Sequence, residues 1–465
     1  MSIRWRDAMS RALYGPNGFF VAGTGPADHF RTSVHASPAF ARALLRLIYD
    51  VDAGLGHPSR LDVVDVGAGR GELLRALLST LEDAAGLAVG VSGEPTRSGR
   101  SGLIPTRAGS PETLTPTASA RSLRDKPSSG TARPSLAKRV HFTAVEYASR
   151  PENLPEEITW TSEIPAEING VLLATEWLDN VPLDVAVHTA DGWRYLLVDP
   201  QSGAETVGEP VSPADLEWLT RWWPTSRTST DGDPNSALTW SDATSGSESG
   251  FGAARPAPAP NGKKPSAGCS RRPRRSGHGQ RPGDGLHDQV ALHRGPGRRR
   301  QRPGCPETPH SDHRAEIGRS RDEAWANAVR QIERGLALAV DYGHLRERRP
   351  VDGTLTGYRG GRQVPPVPDG SSDVTAHVAM DSVASAGSEV ARCAYSLVLQ
   401  REALRALGAD GGRPPLSLAG TDPAGYVRAL AAASAVAELT DPAGLGGHWW
   451  LRQPVGIPHE PAVAR

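Results

Sequence analysis

Residues 61–81 read LDVVDVGAGRGELLRALLSTL, and this run limits the fold more than any other part of the chain. Leu61 to Val66 has the apolar, β-branched character of a buried strand. Gly67, Gly69 and Gly71 follow at alternate positions, and Leu73, Leu74, Leu77, Leu78 and Leu81 then recur at helical spacing. A strand that turns through glycines directly into a helix is the opening of a βαβ unit. Glycine lets the backbone bend sharply and lets a ligand approach the main chain without meeting a Cβ.

The same grammar repeats along the chain. Ser37-Pro38 offers an N-cap and an N1 proline to a helix with Phe40, Leu44, Leu47, Ile48 and Val51 on one face. His141–Val145 and Gly170–Ala174 read as short strands. Ser320-Arg321-Asp322-Glu323 reads as a capping box for a helix with Ala324, Trp325, Ala328, Val329 and Ile332 inward, stopped by Gly335. Leu336–Val340 is then a buried strand, and Leu397–Leu407 a helix ending at Gly408. Trp222, Trp223, Trp449 and Trp450 read as packing residues. Alternating strands and helices, with near-continuous apolar strands, predict an α/β fold: a doubly wound, mostly parallel sheet covered on both faces.

Two stretches break the pattern. Residues 91–137 are dominated by Ser, Thr, Pro and Gly, and residues 225–313 turn from Ser/Thr/Gly-rich to strongly basic, as in Arg271-Arg272-Pro273-Arg274-Arg275. They explain why Gly (51) and Pro (40) are high while hydrophobic residues make up only 38 %. Neither can bury enough apolar surface to offset chain entropy, so both are expected to be disordered insertions. The expected organisation is an N-terminal helical cap or substrate region (1–60), a core first half (61–90 and 138–224) and a core second half (314–465). The 52 basic residues balance 52 acidic ones, and the basic stretch has no aromatic beyond Phe251 to stack on bases, so nucleic acid is not the expected partner. Three scattered cysteines argue against a disulfide scaffold or a thiolate metal site, and no metal is expected. No apolar run is long enough to span a bilayer, and the charged start MSIRWRD is unlike a signal peptide, so a cytoplasmic protein is expected.

The glycine turn discriminates among nucleotide-type ligands. A dinucleotide fingerprint needs glycine where this chain has Glu72, and a phosphate-gripping loop needs a Gly-Lys-Ser/Thr that is missing. Asp65 with Gly67, Gly69 and Gly71 instead resembles motif I of class I S-adenosylmethionine (SAM) methyltransferases, where Asp65 would meet the amino group of the methionine part. Glu146, closing the His141–Val145 strand, lies 75 positions after Gly71, or 28 once the 47-residue stretch 91–137 is discounted. A carboxylate there can accept from both ribose hydroxyls. An ordinary tight turn and a solvated loop glutamate are the plain alternatives.

Five segments in order resemble the MidA-like SAM-dependent methyltransferases. Tyr14-Gly15-Pro16-Asn17-Gly18-Phe19-Phe20 with Phe30-Arg31-Thr32-Ser33 and Ser37-Pro38 looks like the family's opening. Asp65–Gly71, Thr175–Pro182 (TEWLDNVP), Asp341–His344 (DYGH) and Asp373–Val378 (DVTAHV) match its later elements. Thr175 and Asn180 depart from the family's usual Asn and Ala. The mitochondrial relatives are protein-arginine methyltransferases that help assemble respiratory complex I, so the resemblance implies a protein arginine as acceptor, with a respiratory-complex subunit as its candidate carrier. Both Glu176 and Asp179 follow the Gly170–Ala174 strand and are candidates to grip a guanidinium and steer one nitrogen toward the methyl group. Cofactor positioning for Glu176 and a helix N-cap role for Asp179 remain alternatives. Asp341, Tyr342 and His344 are expected in the same crevice, with His377 as a wall or proton acceptor and a structural histidine as its alternative. A SAM-binding assembly module without turnover, and a nicotinamide-dependent oxidoreductase, are the competing functions.

Overall fold

The computed structural model describes residues 1–22, 32–33, 37–90, 134–224, 313–409 and 411–457. Apart from 134–137 and 313, the expected insertions lie outside the described residues. Ser37 caps the helix Pro38–Gly54 by accepting from Ala39 N at 3.0 Å, with Pro38 at N1 as the sequence predicts. That helix packs on the central sheet, whereas the helix Trp5–Tyr14 packs with a second sheet.

The central sheet has seven strands: β1 (Leu61–Val66), β2 (Val140–Val145), β3 (Ile158–Thr161), β4 (Ile168–Thr175), β5 (Ile332–Asp341), β6 (Ser396–Leu399) and β7 (Trp449–Val455). Their spatial order is 3-2-1-4-5-7-6, with only β7 antiparallel to its neighbours. Successive residues feed opposite faces. Val63, Val171, Leu173, Leu336, Leu338 and Val340 pack under the helices Pro38–Gly54 and Glu72–Gly90. Val64, Leu172, Ala174, Ala337 and Ala339 pack with Trp325 of Arg319–Arg330 and Val383 of Met380–Ala391 on the other side. Both faces are covered, which is why these strands read as unbroken apolar runs.

A second sheet takes Asp184–Thr189, Gly192–Val198, Glu205–Pro210 and Arg314–Ile317 from the stretch between β4 and β5, and Ile3–Arg4 from the N-terminus. The sequence did not announce it. Three local expectations also need correction. The Ser320 capping box does not form: the helix begins at Arg319 behind Gly318, and Ser320 Oγ donates to Pro182 O at 2.6 Å. Gly335 does not stop that helix, which ends at Arg330; it sits inside β5 opposite Gly170, where a Cβ would lie 1.8 Å from Gly170 O. Leu397–Leu399 is strand, because β7 pairs with it, and the helix is only Gln400–Ala406.

Candidate functional site

The order of the sheet reverses between β1 and β4, since β2 and β3 lie on one side of β1 while β4 and β5 lie on the other. The loops leaving β1 and β4 diverge there, and such a switch point opens a crevice at the carboxyl ends of the strands. The loop from β1 is the glycine turn, in which Gly67, Gly69 and Gly71 all adopt left-handed φ (72°, 58° and 78°). The three are not equivalent. A Cβ on Gly67 would come 2.9 Å from Trp177 Cδ1, and one on Gly71 would come 2.6 Å from Leu154 Cδ1. These two glycines make room for the protein itself. At Gly69 a Cβ would approach only Glu72 Oε2, at 3.3 Å, so this is the glycine whose bare face is open to a ligand.

Three carboxylates converge on that loop. Glu146 follows β2 and accepts from Gly69 N at 3.1 Å and Tyr147 N at 2.7 Å. Glu72 accepts from Arg70 N at 2.9 Å. Asp65 is 3 % exposed, and its carboxylate has no hydrogen bond or ion pair among the described residues. Burial first, and then the charges of Glu72 and Glu146, raise its pKa to about 8. Burial also raises the Glu146 pKa, against the pull of its backbone donors. A cluster of carboxylates around an unpartnered aspartate, beside a backbone free of Cβ, fits a cationic nucleoside bearing an ammonium group.

The other wall comes from the loop after β4. Glu176, at φ 51°, breaks out of the strand; its amide donates to Val340 O at 2.8 Å and its Oε1 accepts from Ser33 N at 3.2 Å. A non-glycine residue in this region is uncommon, and its cost is sustained at functional turns by the packing around it. The short turn Leu178–Asn180 follows, and Asp341 at the end of β5 accepts from Leu178 N (3.0 Å), Asp179 N (3.2 Å) and Tyr342 N (2.9 Å). Asp341 is fully buried and therefore holds the turn instead of lining the crevice as expected.

Asp179 is the centre of this wall. One carboxylate oxygen, Oδ2, accepts from Tyr342 Oη and from Thr375 Oγ1, the latter at 2.7 Å, while Oδ1 is buried without a partner. Burial raises its pKa, opposed by the Tyr342 and Thr375 hydrogen bonds and by the charge of Arg321. Burial and the neighbouring Asp179 carboxylate push Asp341 well up as well. Asn180 Nδ2 donates to Asp373 Oδ1 at 2.7 Å, and Tyr14 Oη to Asn180 O at 3.3 Å. His377 is exposed, with its ring 5.1 Å from Tyr342. His344 is buried against Arg349, 2.7 Å from its Nδ1, and desolvation together with that cation lowers its pKa to about 3. It is a neutral packing histidine, not a crevice acid or base.

The structure thus brings the glycine turn, Asp65 and Glu146 to one wall and Glu176, Asp179 and His377 to the other, with Trp177 touching both. Sequence reasoning missed Thr375 and Asp373 as partners of the turn, although the DVTAHV segment containing them stood out, and it missed Arg321 by assigning it to a helix cap.

Sheet order, switch point and glycine turn define an α/β protein built to hold a nucleoside ligand at the ends of its strands. Residues 131–397 match the model of the Methyltransf_28 family, described as "Putative S-adenosyl-L-methionine-dependent methyltransferase", and the chain belongs to that family. Its cofactor is accordingly SAM. Two solved structures are similar in fold, both of COG1565 superfamily proteins from Burkholderia thailandensis. One, a methyltransferase-like protein bound to S-adenosyl-homocysteine, is 18% identical with a TM-score of 0.58, over 100% of this chain and 91% of that one. The other, a native structure, is 18% identical with a TM-score of 0.57, over 100% of this chain and 90% of that one. No curated protein matches the sequence. No helix among the described residues is long and apolar enough to cross a membrane.

Proposed function

We propose that the chain transfers a methyl group from SAM to an arginine side chain of a protein. One observation carries this: Asp179 presents a buried carboxylate oxygen without a partner, on a turn that adjoins the cofactor loop. A buried acceptor of this kind is costly unless a donor arrives, and a guanidinium brings five N–H donors and a positive charge. The Burkholderia thailandensis protein solved with S-adenosyl-homocysteine supports the cofactor side of the same reading.

When bound, SAM supplies a methyl group on a sulfonium that leaves readily. The residues of the chain have to hold and orient its partner. Asp65 takes the ammonium, Glu146 the ribose hydroxyls, and Gly69 leaves the space above the loop clear. Glu176 and Asp179 grip the guanidinium and aim one nitrogen along the transfer axis, where alignment is worth several orders of magnitude in rate. Asp179, whose pKa is raised by burial, is suited to accept the proton that the methylated guanidinium sheds. His377 closes the outer side. By the resemblance of its sequence segments, the arginine belongs to a respiratory-complex subunit met in the cytoplasm.

Transfer of labelled methyl groups into a cell lysate, followed by mass analysis of the labelled residues, tests the proposal. Methylarginine that disappears with Glu176→Gln and with Asp179→Asn is the expected result. Label on another residue type overturns the arginine assignment. Tight SAM binding with no methylated product supports instead the assembly module without turnover.

A further inference from the structure

The helix Arg319–Arg330 carries a side chain that the proposed chemistry has not used. Arg321 is 1 % exposed, yet it forms no ion pair among the described residues. Its donors all go to main-chain oxygens: Nη2 to Asp179 O, Nε to Val181 O at 3.2 Å, and Nη1 to Ala376 O at 2.9 Å and His377 O at 3.0 Å. The first two carbonyls lie on the turn after β4, and the other two on the segment after Thr375. A buried guanidinium without a carboxylate in contact is expensive to keep, and a plain packing position would be filled more cheaply by an apolar residue. The planar fork of arginine can reach both segments at once, whereas a lysine ammonium, a single point of donation, cannot.

We propose that Arg321 is a positioning residue for methyl transfer: it fixes the turn carrying Asp179 against the segment carrying His377 and sets a permanent positive charge behind the Asp179 carboxylate. The inference rests on Asp179 being the acceptor-facing carboxylate. The direct hydrogen bonds between the turn and the facing strand and its extension include Asn180 Nδ2 to Asp373 Oδ1 at 2.7 Å, Thr375 Oγ1 to the Asp179 carboxylate at 2.7 Å and Ala376 N to Asp179 O at 3.4 Å, and the guanidinium adds four more, two on each side. The charged and titratable groups around Asp179 are Glu176 on its own turn, Asp341 and Tyr342 at the end of β5, Asp373 and His377 on the facing segment, Tyr358 on the strand paired with that segment, Tyr14 from the N-terminal helix, and Arg321. Of these, Arg321 is the one fixed cation, and its charge lowers the Asp179 pKa.

Full-length Arg321→Lys and Arg321→Met test this by three measurements: calorimetric SAM binding, hydrogen exchange by mass spectrometry, and the pH dependence of methyl labelling of a lysate. SAM affinity is expected to stay within about twofold, because the glycine loop does not depend on Arg321. Exchange should rise in residues 176–182 and 374–379 but not in 61–71. Labelling should fall about 10- to 100-fold in both variants, the order expected when reacting groups are misplaced by about 1 Å. The acid limb of the pH profile should move upward in Arg321→Met, where the charge is lost, and stay in place in Arg321→Lys. If Arg321→Met does not fold, Arg321→Lys decides by its labelling and exchange pattern. Normal labelling by Arg321→Lys, or exchange raised evenly through the molecule, overturns the proposal. Asp179→Asn separates the two levels of inference. If it labels normally while Arg321→Lys does not, the role given to Asp179 is wrong; if it is inactive while Arg321→Lys is normal, the role given to Arg321 is wrong.

Discussion

At the scale of single residues, the glycine turn contains two kinds of glycine. Gly67 and Gly71 are bare because Trp177 and Leu154 pack against them, whereas Gly69 is bare toward the carboxylates that would surround the cofactor. Gly69→Val should therefore leave the fold largely intact but reduce SAM affinity at least tenfold, measured by calorimetry, with roughly 1–3 kcal/mol of added backbone strain at φ 58°. Gly71→Ala should instead lower the melting temperature. Asp65 makes binding depend on pH. Its ligand-free pKa of about 8 means that it is protonated below that pH, and holding an ammonium requires the carboxylate. Binding then releases a proton, and affinity should weaken toward tenfold per pH unit as pH falls below about 8. Asp65→Asn should bind weakly with no such slope; an unchanged slope would remove Asp65 from the site.

At the scale of elements, the strands and helices in the local pattern largely formed, and the misses share one cause. Leu397–Leu399 has helical spacing but becomes strand because β7, some fifty residues later, offers it an antiparallel partner. Gly335 looks like a helix stop, yet its lack of a side chain serves the close approach of β5 to β4. Gly335→Ala should accordingly destabilise the fold by roughly 3 kcal/mol or more, read by denaturant unfolding. Another buried tie joins the segments that flank residues 91–133. Arg139 grips Asp52 with two bonds of 2.8 Å, and both side chains are almost fully buried. Asp52→Asn should cost about 3–5 kcal/mol, because it leaves the guanidinium uncompensated. The Arg139 hydrogen bonds hold the Asp52 pKa below its usual value, so this contribution is complete above about pH 4 and fades as pH falls through the lowered folded-state value. Denaturation at pH 3 and pH 7 should show the gap between wild type and variant closing at low pH.

At the scale of the molecule, the crevice exists because the sheet winds outward in both directions from β1 and β4. The described residues lie in one compact unit, Met1–Ser226 with Ser311–Arg465, and Trp223 packs in the same cluster as Ala315 and Ile317. The described residues on either side of 225–312 are thus packed together by the unit itself. Replacing that stretch with a short Gly/Ser linker should leave SAM affinity within about twofold and the melting temperature nearly unchanged, since a shorter loop alters closure entropy only slowly. A large loss of either would show that the stretch belongs to the working fold.

Strand-helix alternation, the glycine turn and the strand-end acids were legible because each is a short-range pattern, imposed by the periods of helix and strand and by the freedom of glycine. What each acid does was not legible. Asp65 and Asp341 both lie at the ends of apolar strands, but one carboxylate is buried beside the glycine turn without a partner and the other caps a turn. The partners that set the state of Asp179, Tyr342 and Thr375, lie 163 and 196 positions away in the chain. Burial and hydrogen bonding between such distant segments decide whether a carboxylate is charged, satisfied or waiting for a ligand, and only the tertiary structure brings those segments together.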